Sequence, residues 1–188
     1  MMNIPNTLTV LRILLIPVFV LLYCLPVTWN YLAACFVFTL AAITDLLDGY
    51  LARKLNQTSR LGAFLDPVAD KLMVAVVLVL LVHKDPRILL ALPAAVIIGR
   101  EITVSALREW MAELGASSRV AVSIYGKIKT IAQMVALILL LFRDPLWGLP
   151  VYATGLVLLY VAALLTLWSM FQYIASAWPK LRETQDKQ

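Results

Sequence analysis

Apolar runs long enough to cross a lipid bilayer constrain this chain more than any other feature. They cover residues 8–25, 30–50, 66–82, 87–110, 124–142 and 149–175, separated by short polar or turn-forming stretches. A spanning helix needs roughly 20 mostly apolar residues, so six of them use most of a 188-residue chain and leave no room for a separate soluble domain. With 62% hydrophobic and only 14% charged residues, and a mean hydropathy of +0.89, a water-solvated globular domain is excluded. The expectation is an all-α, polytopic integral membrane protein with six transmembrane helices. It forms a single membrane domain over 1–178, followed by a polar C-terminal tail at 179–188. The first run lacks a small-residue cleavage site and reads as a retained membrane helix, not a signal peptide. Trp29, Tyr31, Trp110, Trp147, Tyr152 and Trp178 fall near span ends, where amphipathic rings favour the interface.

Lys and Arg set the orientation. Thirteen of the 16, among them Arg53, Lys54, Arg60, Arg100, Arg108, Lys127 and Lys129, fall on the side shared by both termini and the loops 51–65 and 111–123. Only Lys84, Arg87 and Arg143 fall on the other. The positive-inside rule puts both termini in the cytoplasm. In a soluble protein a pI near 9.4 would suggest nucleic acid. Here the cations adjoin apolar runs, so membrane lipids with anionic head groups are the expected partners and nucleic acid is not. Cys24 and Cys35 lie inside apolar runs as packing thiols, and the single histidine, His83, sits in a loop on the opposite side.

Charges at the ends of spans are costly unless they pair, bind an ion or face water. The segment 45–70, DLLDGYLARKLNQTSRLGAFLDPVAD, concentrates them, while its flanks 31–44 and 72–82 carry none. Asp45 and Asp48 stand three apart and Asp66 and Asp70 four apart, so each pair shares a helix face. Four carboxylates on adjacent helices repel, and divalent cations relieve that repulsion. Oxygen ligands without nearby His or Cys favour Mg, Mn or Ca over zinc, and four aspartates balance two such ions in a site suited to phosphoryl chemistry. Gly49 and Ala52 clear the helix face for a ligand, and Arg53 offers a planar fork for a diphosphate. Structural readings stand beside these. Asp66 before Pro67 is also a common helix start, Gly49 and Ala52 also suit helix packing, and Lys54 and Arg60 fit topology alone.

The pattern Asp45-x2-Asp48-Gly49-x2-Ala52-Arg53-x8-Gly62-x3-Asp66-x3-Asp70 matches at eight positions the signature of the CDP-alcohol phosphatidyltransferase family, which the chain resembles. NTLTVLR at 6–12, REWMAELG at 108–115, VAVSIYGKIKT at 120–130 and LTLWSMFQY at 165–173 look like its bacterial glycerol-3-phosphate-using branch. The resemblance implies a six-helix, homodimeric enzyme of the bacterial cytoplasmic membrane with its active site facing the cytoplasm. Such an enzyme transfers the phosphatidyl group of CDP-diacylglycerol to sn-glycerol 3-phosphate and releases CMP. It also implies two divalent cations, Mg or Mn, on Asp45, Asp48, Asp66 and Asp70, with Asp70 also the general base. Gly49, Ala52 and Arg53 would line the CDP-diacylglycerol pocket.

Glycerol 3-phosphate is a dianion and needs cations beside the carboxylates. Arg100, Arg108, Lys127 and Lys129 are the candidates, although Arg100 also reads as a partner of Glu101 or Glu109 and the lysines as topology alone. Asn6, Thr9 and Arg12 read either as nucleotide contacts or as caps and anchors of the first helix. Two other readings remain open at this level. One is the same signature with another acceptor, such as inositol 1-phosphate, serine or phosphatidylglycerol. The other is a divalent-cation transporter, which the apolar outer halves of spans two and three disfavour.

Overall fold

The computed structural model describes residues 4–54, 60–113, 124–145 and 148–185, with side chains described except at 4–6, 46, 48–54, 60–61, 63, 124–127 and 176–185. Every regular element in it is an α-helix: α1 Ile4–Cys24, α2 Asn30–Lys54, α3 Arg60–Lys84, α4 Ile88–Glu113, α5 Ile124–Phe142 and α6 Val151–Gln185. Six helices correspond to the six apolar runs, but the helices outlast the runs. α3 starts at Arg60, ahead of the apolar stretch, and α6 continues to Gln185 through the segment expected as a polar tail. Apolarity marks the depth of a bilayer slab, whereas helix ends depend on capping, so the two need not coincide. Three helices are long and apolar enough to cross a membrane unaided, over Thr7–Cys24, Ile88–Glu113 and Val151–Ala175. The apolar stretches Asn30–Asp45 and Ile128–Phe142 are shorter.

The packing follows the chain. α1 lies against α2 and α3, α5 against α6 and α2, and α4 against α6 and α3. Phe19, Phe38, Val77, Leu78, Ile97, Leu137, Leu141 and Leu159 form the centre, each fully buried. Gly155 allows α6 to approach α5 closely, since a Cβ there would stand 3.0 Å from Leu139 Cβ. The outside is also apolar. Leu21, Phe36, Phe64, Ile88 and Leu164 are all more than 60% exposed, an arrangement suited to acyl chains and not to water.

Alternating helix direction gathers the polar residues at two opposite ends. One end carries Asp85, Arg87, Arg143, Tyr31 and Tyr152. Arg87 grips Asp85 with two bonds of 2.7 and 2.6 Å, and Tyr152 donates its hydroxyl to the same carboxylate. These donors hold the Asp85 carboxyl well below the usual carboxylate range. Arg143 closes α5 in the left-handed region, with φ of 63°. Its guanidinium donates to Tyr31 Oη at 3.0 Å and lies 5.1 Å from that ring's centroid. The other end carries the carboxylates singled out above.

Candidate active site

Asp45 comes from the C-terminal half of α2, and Asp66 and Asp70 from the N-terminal half of α3, one turn apart. Pro67 sits inside α3 and directly follows Asp66, at a point where the missing N–H loosens the ladder of the first turns. The three carboxylates line a single cavity of about 450 Å³. Arg100 and Arg108 of α4 and Lys129 of α5 line the same cavity, as do Lys71 and Glu101. Carboxylates expected to hold cations and cations expected to hold a phosphate thus share one space. Asp48, Gly49, Ala52, Arg53 and Lys127 lie outside the residues whose side chains are described.

The cationic wall is firmly built. Arg100 donates to Glu101 through Nη1 and to Ser169 Oγ of α6 at 3.0 Å through Nη2, while its Nε is buried with no hydrogen-bond partner among the described residues. Lys129, only 7% exposed, stands 3.7 Å from Glu101 Oε1. The pairing of Arg100 with Glu101 is therefore real, yet it leaves Arg100 on the cavity wall and does not remove it from the site. Lys71 donates to Ser105 Oγ, and Ser105 in turn donates to the Glu101 carbonyl at 2.6 Å. Through these bonds α3 and α4 are pinned together beside the cavity. Next to it, between the same two helices, an apolar recess of about 540 Å³ shares Lys71, Val74 and Glu101 as a common wall.

The acidic wall is braced from α1. Arg12 is 1% exposed and stands 2.6 Å from Asp45 Oδ1, and Thr9, fully buried, donates its hydroxyl to Asp66 Oδ1. The sequence reads Arg12 as a topology-setting cation, and Thr9 and Arg12 as either nucleotide contacts or caps and anchors of α1, but not as partners of the aspartates. The available signal was the position of Arg12 within an apolar run, where an unpaired cation is not tolerated. Among the described residues no three Asp, Glu, His or Cys side chains close into a ready-made ligand sphere. The donor chemistry still suits a hard divalent cation, because the acidic wall of the cavity offers carboxylate oxygens and no nitrogen or sulfur ligand from His or Cys.

Aspartates of α2 and α3 sharing one cavity with lysine and arginine of α4 and α5 make a site suited to phosphorylated substrates. The family profile of CDP-alcohol phosphatidyltransferase matches residues 2–168, and the chain belongs to this family of enzymes. A CDP-diacylglycerol–glycerol-3-phosphate 3-phosphatidyltransferase from Pseudomonas fluorescens is 59% identical over 185 residues, covering 96% of this chain and 93% of the relative. The protein of the same name from Escherichia coli (strain K12) is 57% identical over 175 residues, covering 93% of this chain and 94% of its own length.

Proposed function

We propose that the protein transfers the phosphatidyl group of CDP-diacylglycerol to sn-glycerol 3-phosphate, yielding phosphatidylglycerophosphate and CMP in phospholipid biosynthesis. The observation that carries this reading is the single cavity lined by Asp45, Asp66 and Asp70 of α2 and α3 and by Arg100, Arg108 and Lys129 of α4 and α5. A reaction between a pyrophosphate and a phosphomonoester needs both walls, and the two relatives' names join those same two substrates.

In this reading Asp45, Asp66 and Asp70, with Asp48, hold two divalent cations, Mg or Mn. Those cations would neutralise charge on the pyrophosphate and on departing CMP. Asp70 accepts the proton of the acceptor's C1 hydroxyl as its oxygen attacks the phosphorus bearing the diacylglycerol. The bond from that phosphorus to the CMP oxygen breaks, and CMP leaves with the electron pair. Direct in-line attack needs no covalent intermediate, and positioning of the two reactants adds to the electrostatic stabilisation. Gly49, Ala52 and Arg53 follow Asp48 on α2 and are assigned to the nucleotide.

The acceptor phosphate is assigned to Arg100, Arg108, Lys127 and Lys129. The presence of Arg100, Arg108 and Lys129 on the lining of the carboxylate cavity supports this. The adjoining apolar recess offers a lipid donor an apolar surface beside the polar chemistry. The same reading makes the chain a six-span, homodimeric protein of the bacterial cytoplasmic membrane. Its single domain covers 1–178, with a polar segment at 179–188, and both termini and the active site are cytoplasmic. The excess of Lys and Arg at the active-site end supports that sidedness.

The test is CMP release from CDP-diacylglycerol by the purified protein in detergent with Mg, comparing glycerol 3-phosphate, inositol 1-phosphate and serine. Release with glycerol 3-phosphate alone, abolished by EDTA, is expected. Release with another acceptor would keep the site and overturn the acceptor. Asp70→Asn should lower kcat on the order of 10²–10⁴-fold while the KM for CDP-diacylglycerol changes little.

A further inference from the structure

Among the described residues, the deepest charged side chain belongs to a helix that contributes no carboxylate. Arg12 of α1 is 1% exposed and stands 2.6 Å from Asp45 on α2. One turn earlier, Thr9 donates to Asp66 on α3. Arg12 and Asp70 also line the same small void, closed by Phe38 and Met73. A single helix therefore reaches one member of each aspartate pair with a donor suited to it, a fixed cation for one and a hydroxyl for the other. A helix–helix tether would need neither a charge nor a carboxylate partner. Burying an arginine in a membrane protein is tolerated where its counter-charge is equally fixed.

We propose that Arg12 and Thr9 are positioning residues, and that Arg12 is a built-in counter-ion that keeps the carboxylate cluster assembled before any divalent cation arrives. The inference rests on the metal-binding reading above. Aspartates crowded on two helices repel when no cation is bound. A guanidinium supplied by a third helix offsets part of that repulsion permanently, and its short ion pair keeps Asp45 turned toward the cavity. Cation binding then completes a set of ligands already in place. Without Arg12 the same cation must also gather them. The cation-free state therefore leans on Arg12 more than the cation-bound state does, which gives the idea a sign.

Thermal unfolding of the full-length protein in detergent, in EDTA and in saturating Mg, tests this with Arg12→Gln, Arg12→Lys and the double variant Arg12→Gln/Asp45→Asn. Wild type should gain a few degrees from Mg. Arg12→Gln should melt well below wild type in EDTA and gain at least twice as much from Mg. Arg12→Lys should stay close to wild type in EDTA, and the double variant should melt above Arg12→Gln. An equal loss for Arg12→Gln in EDTA and in Mg would reduce the residue to a tether and overturn the proposal. If Arg12→Gln cannot be obtained folded, Arg12→Lys and the double variant decide, and failure of both to fold overturns it. No Mg shift in wild type, together with CMP release insensitive to EDTA, would defeat the metal reading instead. In that case a double variant no more stable than Arg12→Gln would defeat the counter-ion as well.

Discussion

Lys129 and Arg100 approach the same Glu101 carboxylate from two helices, so both cations are held in place on the cavity wall. A charge-assisted hydrogen bond to phosphate is worth about 1.5–3 kcal/mol. Lys129→Met should accordingly raise the KM for glycerol 3-phosphate about 10- to 100-fold while the KM for CDP-diacylglycerol holds, as read from initial rates of CMP release. The residues on this wall were legible in the sequence because cations at span ends are few and their side of the membrane can be counted. Asp45, Asp66 and Asp70 were legible for a stronger reason, their fixed spacing between uncharged flanks. Arg12 was not, although it lies in plain view within an apolar run. Its meaning depends on Asp45, 33 positions away on another helix, and no local pattern carries that pairing. Glu101 was named only as a partner for Arg100. Its contact with Lys129 joins α4 to α5, again beyond the reach of spacing.

At the level of elements, apolar length gave the number and order of the helices, while their ends followed other rules. α3 is already helical at Arg60, because a charged residue is no obstacle to helical backbone. α5 ends at Phe142, and Arg143 takes the left-handed conformation that usually falls to glycine after a helix. That backbone costs a non-glycine residue roughly 1–2 kcal/mol. The side chain offsets the cost through its bond to Tyr31 Oη and its contact with the ring. Arg143→Ala keeps the strained backbone and loses both contacts, whereas Arg143→Gly loses the contacts and the strain together. Thermal unfolding should therefore rank wild type and Arg143→Gly above Arg143→Ala. At the contact between α5 and α6, Gly155→Leu should lower stability by about 1–3 kcal/mol, because Leu139 and Leu140 already stand within 3.1 Å of where its Cβ must go. A drop in melting temperature without loss of the Mg response would confirm that Gly155 serves packing and not the site.

For the whole molecule, the two polar ends differ in kind. One is a surface cluster in which Arg87, 61% exposed, and Tyr152 both donate to Asp85, and the other is a cavity lined by carboxylates, lysines and arginines. The cations gathered around the second suit a water-soluble dianion. In sealed vesicles containing the protein in one orientation, glycerol 3-phosphate supplied on the side of Arg108 should support CMP release. The same concentration on the side of Arg87 should not, until the vesicles are made leaky. Equal rates from both sides would refute the assignment of the active site to the basic end.

The wall formed by Lys71, Val74 and Glu101 belongs to a polar cavity on one face and to an apolar recess on the other. A catalyst built on such a wall meets its two reactants in spaces of different dimension. The acceptor is sampled from a volume and counts by molarity, whereas the donor is sampled from a sheet and counts by its mole fraction among lipids. Adding inert lipid or detergent at fixed donor molarity would then slow the enzyme as though donor had been withdrawn, and a cell could tune the flux by the crowding of its own bilayer.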